Sequence, residues 1–275
     1  MKNEQIHWFD LDLSLINSNA KWWILDRNNP IKPLLKITQY DGNLIVAGFY
    51  KKDNLSFKYN GVEAWLSKEI WNEIQKINNS IKLDDLGISW REFQSDELIE
   101  KQITEMVVYI NNIKHLSNTK DIVNLLTARG NKSAHKNIIA ELNVQLSKIN
   151  IKINDEIFVS DPTSCTIIGT SAYKKCMTIL ESIVGYKIKN NEFIPIQCDS
   201  YKIANFYDDE DTNITECLSI NKRLSDMLKN TAEWLKAEII THIKMIKPEL
   251  NINYVCSNEL NPFETTNLPI VILED

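Results

Sequence analysis

Five short apolar runs, separated by stretches with helical periodicity, constrain the fold of this chain more than any other feature. They lie at residues 5–10 (QIHWFD), 121–126 (DIVNLL), 155–160 (DEIFVS), 201–207 (YKIANFY) and 252–256 (INYVC). Each has the length of a buried strand, and the segments between them carry a 3.6-residue apolar period. That alternation predicts strands joined by crossover helices, and therefore a parallel sheet flanked by helices.

Spacing traces the helices. Leu98, Ile99, Ile103, Met106, Val107 and Ile110 fit one helix with Ser95 or Asp96 as its N-cap. Ala134, Ile138, Leu142, Leu146 and Ile149 fit a second behind Ser133, and Met177, Leu180 and Val184 a third that Gly185 terminates. From Thr212 to Lys247 the period runs through Leu218, Leu224, Leu228, Leu235, Ile239, Ile243 and Ile246. One helix there would be unusually long, so two helices broken near Asn230 are an equal alternative.

Residues 18–94 interrupt the alternation. They hold five of the seven tryptophans (Trp22, Trp23, Trp65, Trp71 and Trp90), and two apolar runs, LLKITQY and NLIVAGFY, flank Asp41-Gly42. Asp-Gly between such runs signals a hairpin. The expectation is an inserted Trp-rich α+β subdomain, residues 18–94, lying over one edge of a core made from 1–17 and 95–275. No Pro/Gly linker or internal repeat separates the two, so they are expected to pack together.

Composition narrows the function classes. A chain of 275 residues buries about three quarters of its unfolded surface without disulfides or structural metal. A net charge of −6 gives no overall attraction to a polyanion. The five cysteines form no CxxC pair and the four histidines no HExxH, which argues against a zinc site or a disulfide framework. The N-terminus lacks a signal-peptide apolar stretch, and no window reaches the ~18 apolar residues of a membrane span, so a soluble cytoplasmic protein is expected.

Residues with chemical potential gather where the runs end. The first run closes in HWFDLDLSLI, and in extended chain the carboxylates of Asp10 and Asp12 project to one side, at the strand's carboxyl end. Open α/β sheets bind ligands at that end. Two carboxylates so close suit one group that attacks and one that shuttles a proton, with a cation between them. The second run ends in NLLTARG, where Thr127 offers a hydroxyl to phosphoryl oxygens and Arg129 and Gly130 read as turn residues. The fourth ends in ANFYDDEDTNI, where Asp208 and Asp209 form a hard-oxygen site suited to Mg²⁺, while Glu210 and Asp211 complement the dipole of the next helix. Taken singly, each feature is more often a solvated loop or an ordinary turn. Three strand ends in chain order, all carrying phosphate or metal chemistry, are not.

Jointly these segments resemble the haloacid dehalogenase superfamily. DLDLS is similar to its D-x-D-x-[TV] first motif, LLTAR to its Thr/Ser second motif and FYDDEDTN to its acidic fourth motif, over residues 5–16 and 95–257. Ser14 stands where the family usually has Thr, and Leu13 where Gly is frequent. The resemblance implies a Rossmann-like parallel sheet, with residues 18–94 as a cap between the first and second motifs. It implies a Mg²⁺-dependent phosphohydrolase in which Asp10 forms an aspartyl-phosphate and Asp12 is the acid and base. Asp10, Asp12 (through its backbone carbonyl) and Asp208 or Asp209 would hold Mg²⁺. Thr127 and a lysine would neutralise the phosphate, with Lys174 in GTSAYKKCM favoured over Lys175.

The substrate is left open between a small metabolite or nucleotide and a phosphate at a nucleic-acid end. The insert's FYKKDNLSFKYNG interleaves Phe49, Tyr50, Phe57 and Tyr59 with Lys51, Lys52 and Lys58, a mixture that stacks bases but also protects edge strands. The alternative class is a non-catalytic binding or regulatory module of the same fold that uses the tryptophan-rich insert for a partner.

Overall fold

The computed structural model describes residues 5–12, 14–18, 20–59, 61–94, 99–103, 121–246, 251–257 and 262–271. The chain divides into two compact units, residues 1–18 with 100–275, and residues 19–99. Among the described residues no helix is long and apolar enough to cross a membrane.

In chain order the first unit begins with β1 (Gln5–Phe9) and β2 (Ile16–Ser18). The second unit follows, with β3 (Trp22–Asp26), β4 (Asn29–Ile37), α1 (Gln39–Ala47), β5 (Ser56–Tyr59), β6 (Val62–Trp65), α2 (Lys68–Ile77) and β7 (Leu86–Ser89). The chain returns through β8 (Ile99–Ile103), which pairs with β2, and continues into β9 (Ile122–Thr127), α3 (Lys136–Ser147) and β10 (Ile153–Phe158). Then come α4 (Ser171–Val184), the hairpin β11 (Tyr186–Lys189) and β12 (Glu192–Gln197), and β13 (Ile203–Asp208). Three helices, α5 (Asp211–Leu218), α6 (Ile220–Asn230) and α7 (Glu233–Ile246), lead to β14 (Asn251–Ser257) and β15 (Pro262–Pro269).

The main sheet runs β10-β9-β1-β13-β14-β15, parallel throughout except for the antiparallel edge strand β15. Counting its strands along the chain, the order is 3-2-1-4-5-6, that of a Rossmann-like α/β sheet. All five apolar runs are strands of this sheet. They read as near-continuous apolar stretches because the central strands are covered on both faces; Trp8, Phe9, Leu125, Leu126, Ala204 and Phe206 are all buried. The order reverses between β1 and β13, and in such sheets the crevice for a ligand opens at the carboxyl ends flanking that point.

Helix α4 lies in the core of this unit. The side chain of Thr170 caps it by accepting from the Tyr173 amide at 3.2 Å, and Gly185 ends it in the left-handed region at φ 78°. Every residue from Lys175 to Val184 is buried, so the helix is enclosed all round rather than along one stripe. The break expected near Asn230 is present, and a second at Ser219 divides the stretch into three helices.

Two expectations are corrected. Residues 99–103 form strand β8 and not the start of a helix over 98–110; β-branched Ile99 and Ile103 suit the pairing with β2, and residues 104–110 lie outside the described residues. Asp41-Gly42 is not a hairpin turn but the first turn of α1. Thr38 caps that helix, its Oγ1 accepting from the Asp41 amide at 3.0 Å while its hydroxyl donates to Asp41 Oδ2 at 2.6 Å. Gly42 is there for closeness, since a Cβ at this position would lie 2.2 Å from the Trp22 ring. β4 pairs with β3 instead, in the antiparallel order β4-β3-β7.

The second unit has its own apolar core, which includes Trp22, Ile24, Phe57, Leu66, Ile74 and Leu86. Its tryptophans do not form one exposed apolar face. Trp22 is buried, Trp71 packs on the core, and Trp23 lies beneath the cations of Lys36 (4.8 Å) and Arg91 (4.1 Å). Within FYKKDNLSFKYNG, Phe57 is core, whereas Phe49 and the three lysines are exposed.

Candidate active site

The β1–β13 ladder positions the first carboxylate. Phe9 pairs with Tyr207, and the ladder extends one step past the strand, with the Asp10 amide donating to the Tyr207 carbonyl at 2.9 Å. Asp10 therefore sits beside Asp208, the last residue of β13. On the other side β1 pairs with β9, whose last residue is Thr127. Adjacent parallel strands thus deliver Thr127, Asp10 and Asp208 to one edge of the sheet.

Lys175 closes the arrangement from helix α4. Its Nζ donates to Asp10 Oδ1 and to Asp208 Oδ2, each at 2.7 Å, and the side chain is 1% exposed. Lys175 shares the i, i+4, i+8 row with Ile179 and Ile183, both fully buried, so the helix itself turns the ammonium inward. Lys174, one residue earlier and rotated by about 100°, donates instead to the Val159 carbonyl at 3.0 Å. The order of preference between the two lysines is therefore reversed. The sequence signal was the register with Ile179 and Ile183, since a lysine on a buried row requires a buried anion.

Asp208 is further held by the Glu210 amide (2.9 Å) and Asn213 Nδ2 (2.8 Å), both on Oδ1. Asp209 is different, because its Oδ1 is buried with no hydrogen-bond partner. One carboxylate oxygen from each of Asp10, Asp208 and Asp209 can lie within 4.8 Å of the others, a spacing that can hold a metal ion. Magnesium takes hard oxygen ligands at about 2.0–2.1 Å, which puts opposite ligands about 4.2 Å apart. The donor set and the orphaned oxygen of Asp209 fit such an ion.

Asp12 lies past the end of β1 and is taken by a different cation. Arg129 Nε donates to Asp12 Oδ2 at 2.9 Å and its terminal nitrogen to Oδ1 at 2.6 Å, a two-point ion pair. The Asp12 side chain is therefore outside the cluster of three carboxylates. Arg129 follows Thr127 by two residues, and its backbone N–H donates to Thr127 Oγ1 at 3.2 Å. The pattern NLLTARG marks Arg129 only as a turn residue, and Asn213 carries no signal of its own in the sequence; both meet site carboxylates in the fold.

The electrostatics are dominated by crowded anions. Burial pushes the Asp10 carboxyl up to about 8 even though Lys175 pulls it down, and Asp208 and Asp12 add to the rise. Burial also raises Asp209 well above the carboxylate range, with Asp208, Asp10 and Glu210 contributing. For Lys175, burial alone would favour the neutral amine, but Asp10 and Asp208 outweigh it and keep the ammonium charged. A divalent cation would relieve the same repulsion. Compared with protein-family models, with curated proteins and with solved structures, the chain matches none.

Proposed function

We propose that this chain is a Mg²⁺-dependent phosphohydrolase of the haloacid dehalogenase type that cleaves phosphate monoesters through an aspartyl-phosphate on Asp10. One observation carries the reading: a buried lysine is held between two carboxylates at the switch point of the sheet, next to a third carboxylate with an unsatisfied oxygen. A purely structural ion pair has no use for that third carboxyl, since a buried oxygen left without a hydrogen-bond partner is costly.

Asp10, Asp208 and Asp209 are the residues that would hold Mg²⁺. When bound, the ion supplies charge neutralisation at the phosphoryl oxygens. It also favours the ionised form of Asp10, which a nucleophile needs. In the first step an Asp10 carboxylate oxygen forms a bond to phosphorus while the bond from phosphorus to the ester oxygen breaks. The leaving oxygen takes a proton from Asp12. In the second step Asp12 removes a proton from water, whose oxygen displaces Asp10 and releases inorganic phosphate. Lys175 and the Thr127 hydroxyl offset the charge on the remaining oxygens, which is most of what phosphoryl transfer asks of a protein. In chain order residues 18–94 fall between the first and second motifs, where the family carries its substrate-selecting cap.

The test is hydrolysis of a generic aryl phosphate and of a panel of nucleotides, sugar phosphates and 3′-phosphorylated oligonucleotides, with Mg²⁺ and with chelator. Metal-dependent turnover should fall at least 10³-fold in Asp10→Asn, a nucleophile's share of the barrier being several kcal/mol. Turnover retained in Asp10→Asn overturns the reading. No turnover by the wild type on any member of the panel would favour a non-catalytic module of this fold.

A further inference from the structure

The geometry points to Arg129 as a phosphate-binding residue held in reserve by Asp12: substrate phosphate takes the place of the Asp12 carboxylate on the guanidinium and thereby frees Asp12. This inference rests on the phosphohydrolase reading. Two roles conflict within the site. The residue assigned to serve the leaving oxygen and the water has both its oxygens bound by a guanidinium, at 2.9 and 2.6 Å. In that arrangement the guanidinium engages a lone pair on each Asp12 oxygen and fixes the carboxylate's orientation.

Burial orders the pair. The Arg129 side chain is 1% exposed and that of Asp12 8%, so the carboxylate is the more accessible partner. At Lys175 the order is the same for Asp10, 8% exposed against 1% for the lysine, while Asp208 is fully buried. Asp12 and Asp10, the more exposed carboxylates of these pairs, are thus each already bonded to a buried cation.

Charge favours the exchange. Lys175 is committed to Asp10 and Asp208, and Arg129 to Asp12. A phosphate dianion gains less from a cation already paired than from one it can take over, and a guanidinium presents the same two-point fork to phosphate as to carboxylate. Swapping one anion for the other keeps the buried Arg129 paired throughout, which avoids the several kcal/mol that an uncompensated buried charge costs. Thr127 lies within the same turn, its hydroxyl oxygen bonded by the Arg129 amide, so both groups would meet the phosphate from the tip of β9. The consequence for function is that Asp12 is released only when a phosphoryl group is present, which limits idle activation of water in the empty site.

The experiment measures the affinity of inorganic phosphate, by calorimetry in Mg²⁺, for the wild type, Asp12→Asn, Arg129→Lys and the double variant. Asparagine holds Arg129 less firmly than aspartate, so phosphate has less to displace. If the wild type presents an uncommitted Arg129 about a tenth of the time, Asp12→Asn binds phosphate about tenfold more tightly. Arg129→Lys should weaken binding at least tenfold, and the gain from Asp12→Asn should vanish in the double variant. Thermal melts of each protein establish folding; should Asp12→Asn not fold, a raised KM with Arg129→Lys carries the same test. Unchanged or weaker phosphate binding by a folded Asp12→Asn overturns the exchange, as does an Arg129→Lys variant that loses thermal stability while its phosphate affinity stays at the wild-type value. Either failure is separable from that of the phosphohydrolase reading, which stands or falls on turnover by the wild type and Asp10→Asn.

Discussion

Replacing Lys175 by methionine tests the centre of the site, because the two side chains are similar in length and differ mainly in charge. The ammonium is 1% exposed and bonded at 2.7 Å to both Asp10 and Asp208, so the variant leaves two buried carboxylates facing each other. Removing one partner of a buried ion pair typically costs about 3–5 kcal/mol. In a domain of this unit's size each kcal/mol lowers the melting midpoint by about 2–4 °C. The expected fall is therefore about 6–20 °C in chelator, followed by circular dichroism. With saturating Mg²⁺ the deficit should narrow, because the ion neutralises the same carboxylates. Lys174→Met is the control: it loses a hydrogen bond to the Val159 carbonyl, worth about 1 kcal/mol. A Lys175→Met midpoint within about 2 °C of the wild type, or a larger fall in the Lys174 variant, would refute the assignment of the buried lysine.

Two further predictions bear on single side chains. Asp209→Asn removes a crowded carboxylate with an unpartnered oxygen, so in chelator it should raise the melting midpoint by about 2–4 °C, a gain of about 1 kcal/mol; titration with Mg²⁺ should show affinity reduced at least tenfold. In the second unit, burial raises the Glu92 carboxyl, but Lys36, Trp23 and the Lys21 amide outweigh it and leave it below its ordinary range. A depressed carboxyl contributes stability above its unfolded pKa, about 4.3, and loses that contribution as pH falls through the folded value. Glu92→Gln should therefore cost about 1.5 kcal/mol at pH 7, and the gap from wild type in melts across pH 3–7 should narrow as pH falls below the ordinary carboxylate range.

How much of this protein was legible beforehand depended on whether a feature is local. The strands of the sheet were readable because strands covered on both faces have no polar face to break the apolar run. Asp10, Thr127, Asp208 and Asp209 were readable for the same reason, as each closes or follows such a run. Helix α3 and the Gly185 stop of α4 follow from periodicity and the left-handed cap. The hairpin at Asp41-Gly42 failed because two local signals competed: Thr38 and Asp41 form a helix cap, and the glycine answers to Trp22, twenty residues away. Residues 99–103 failed because Ile99 and Ile103 fit a helical period, while pairing with β2 favours a strand.

The sequence by itself determined an α/β chain with acidic strand ends and an inserted second unit, since these depend on the order of residue types within a few positions. Only the tertiary structure decided which cation meets which carboxylate. Lys175 rather than Lys174 reaches Asp10 and Asp208 because the rotation of α4 against the core turns one of two adjacent lysines inward. Arg129 holds Asp12 across 117 residues of chain because β9 lies next to β1 in the sheet. Both pairings are set by burial, which leaves a buried charge no partner except the opposite charge that the fold brings beside it.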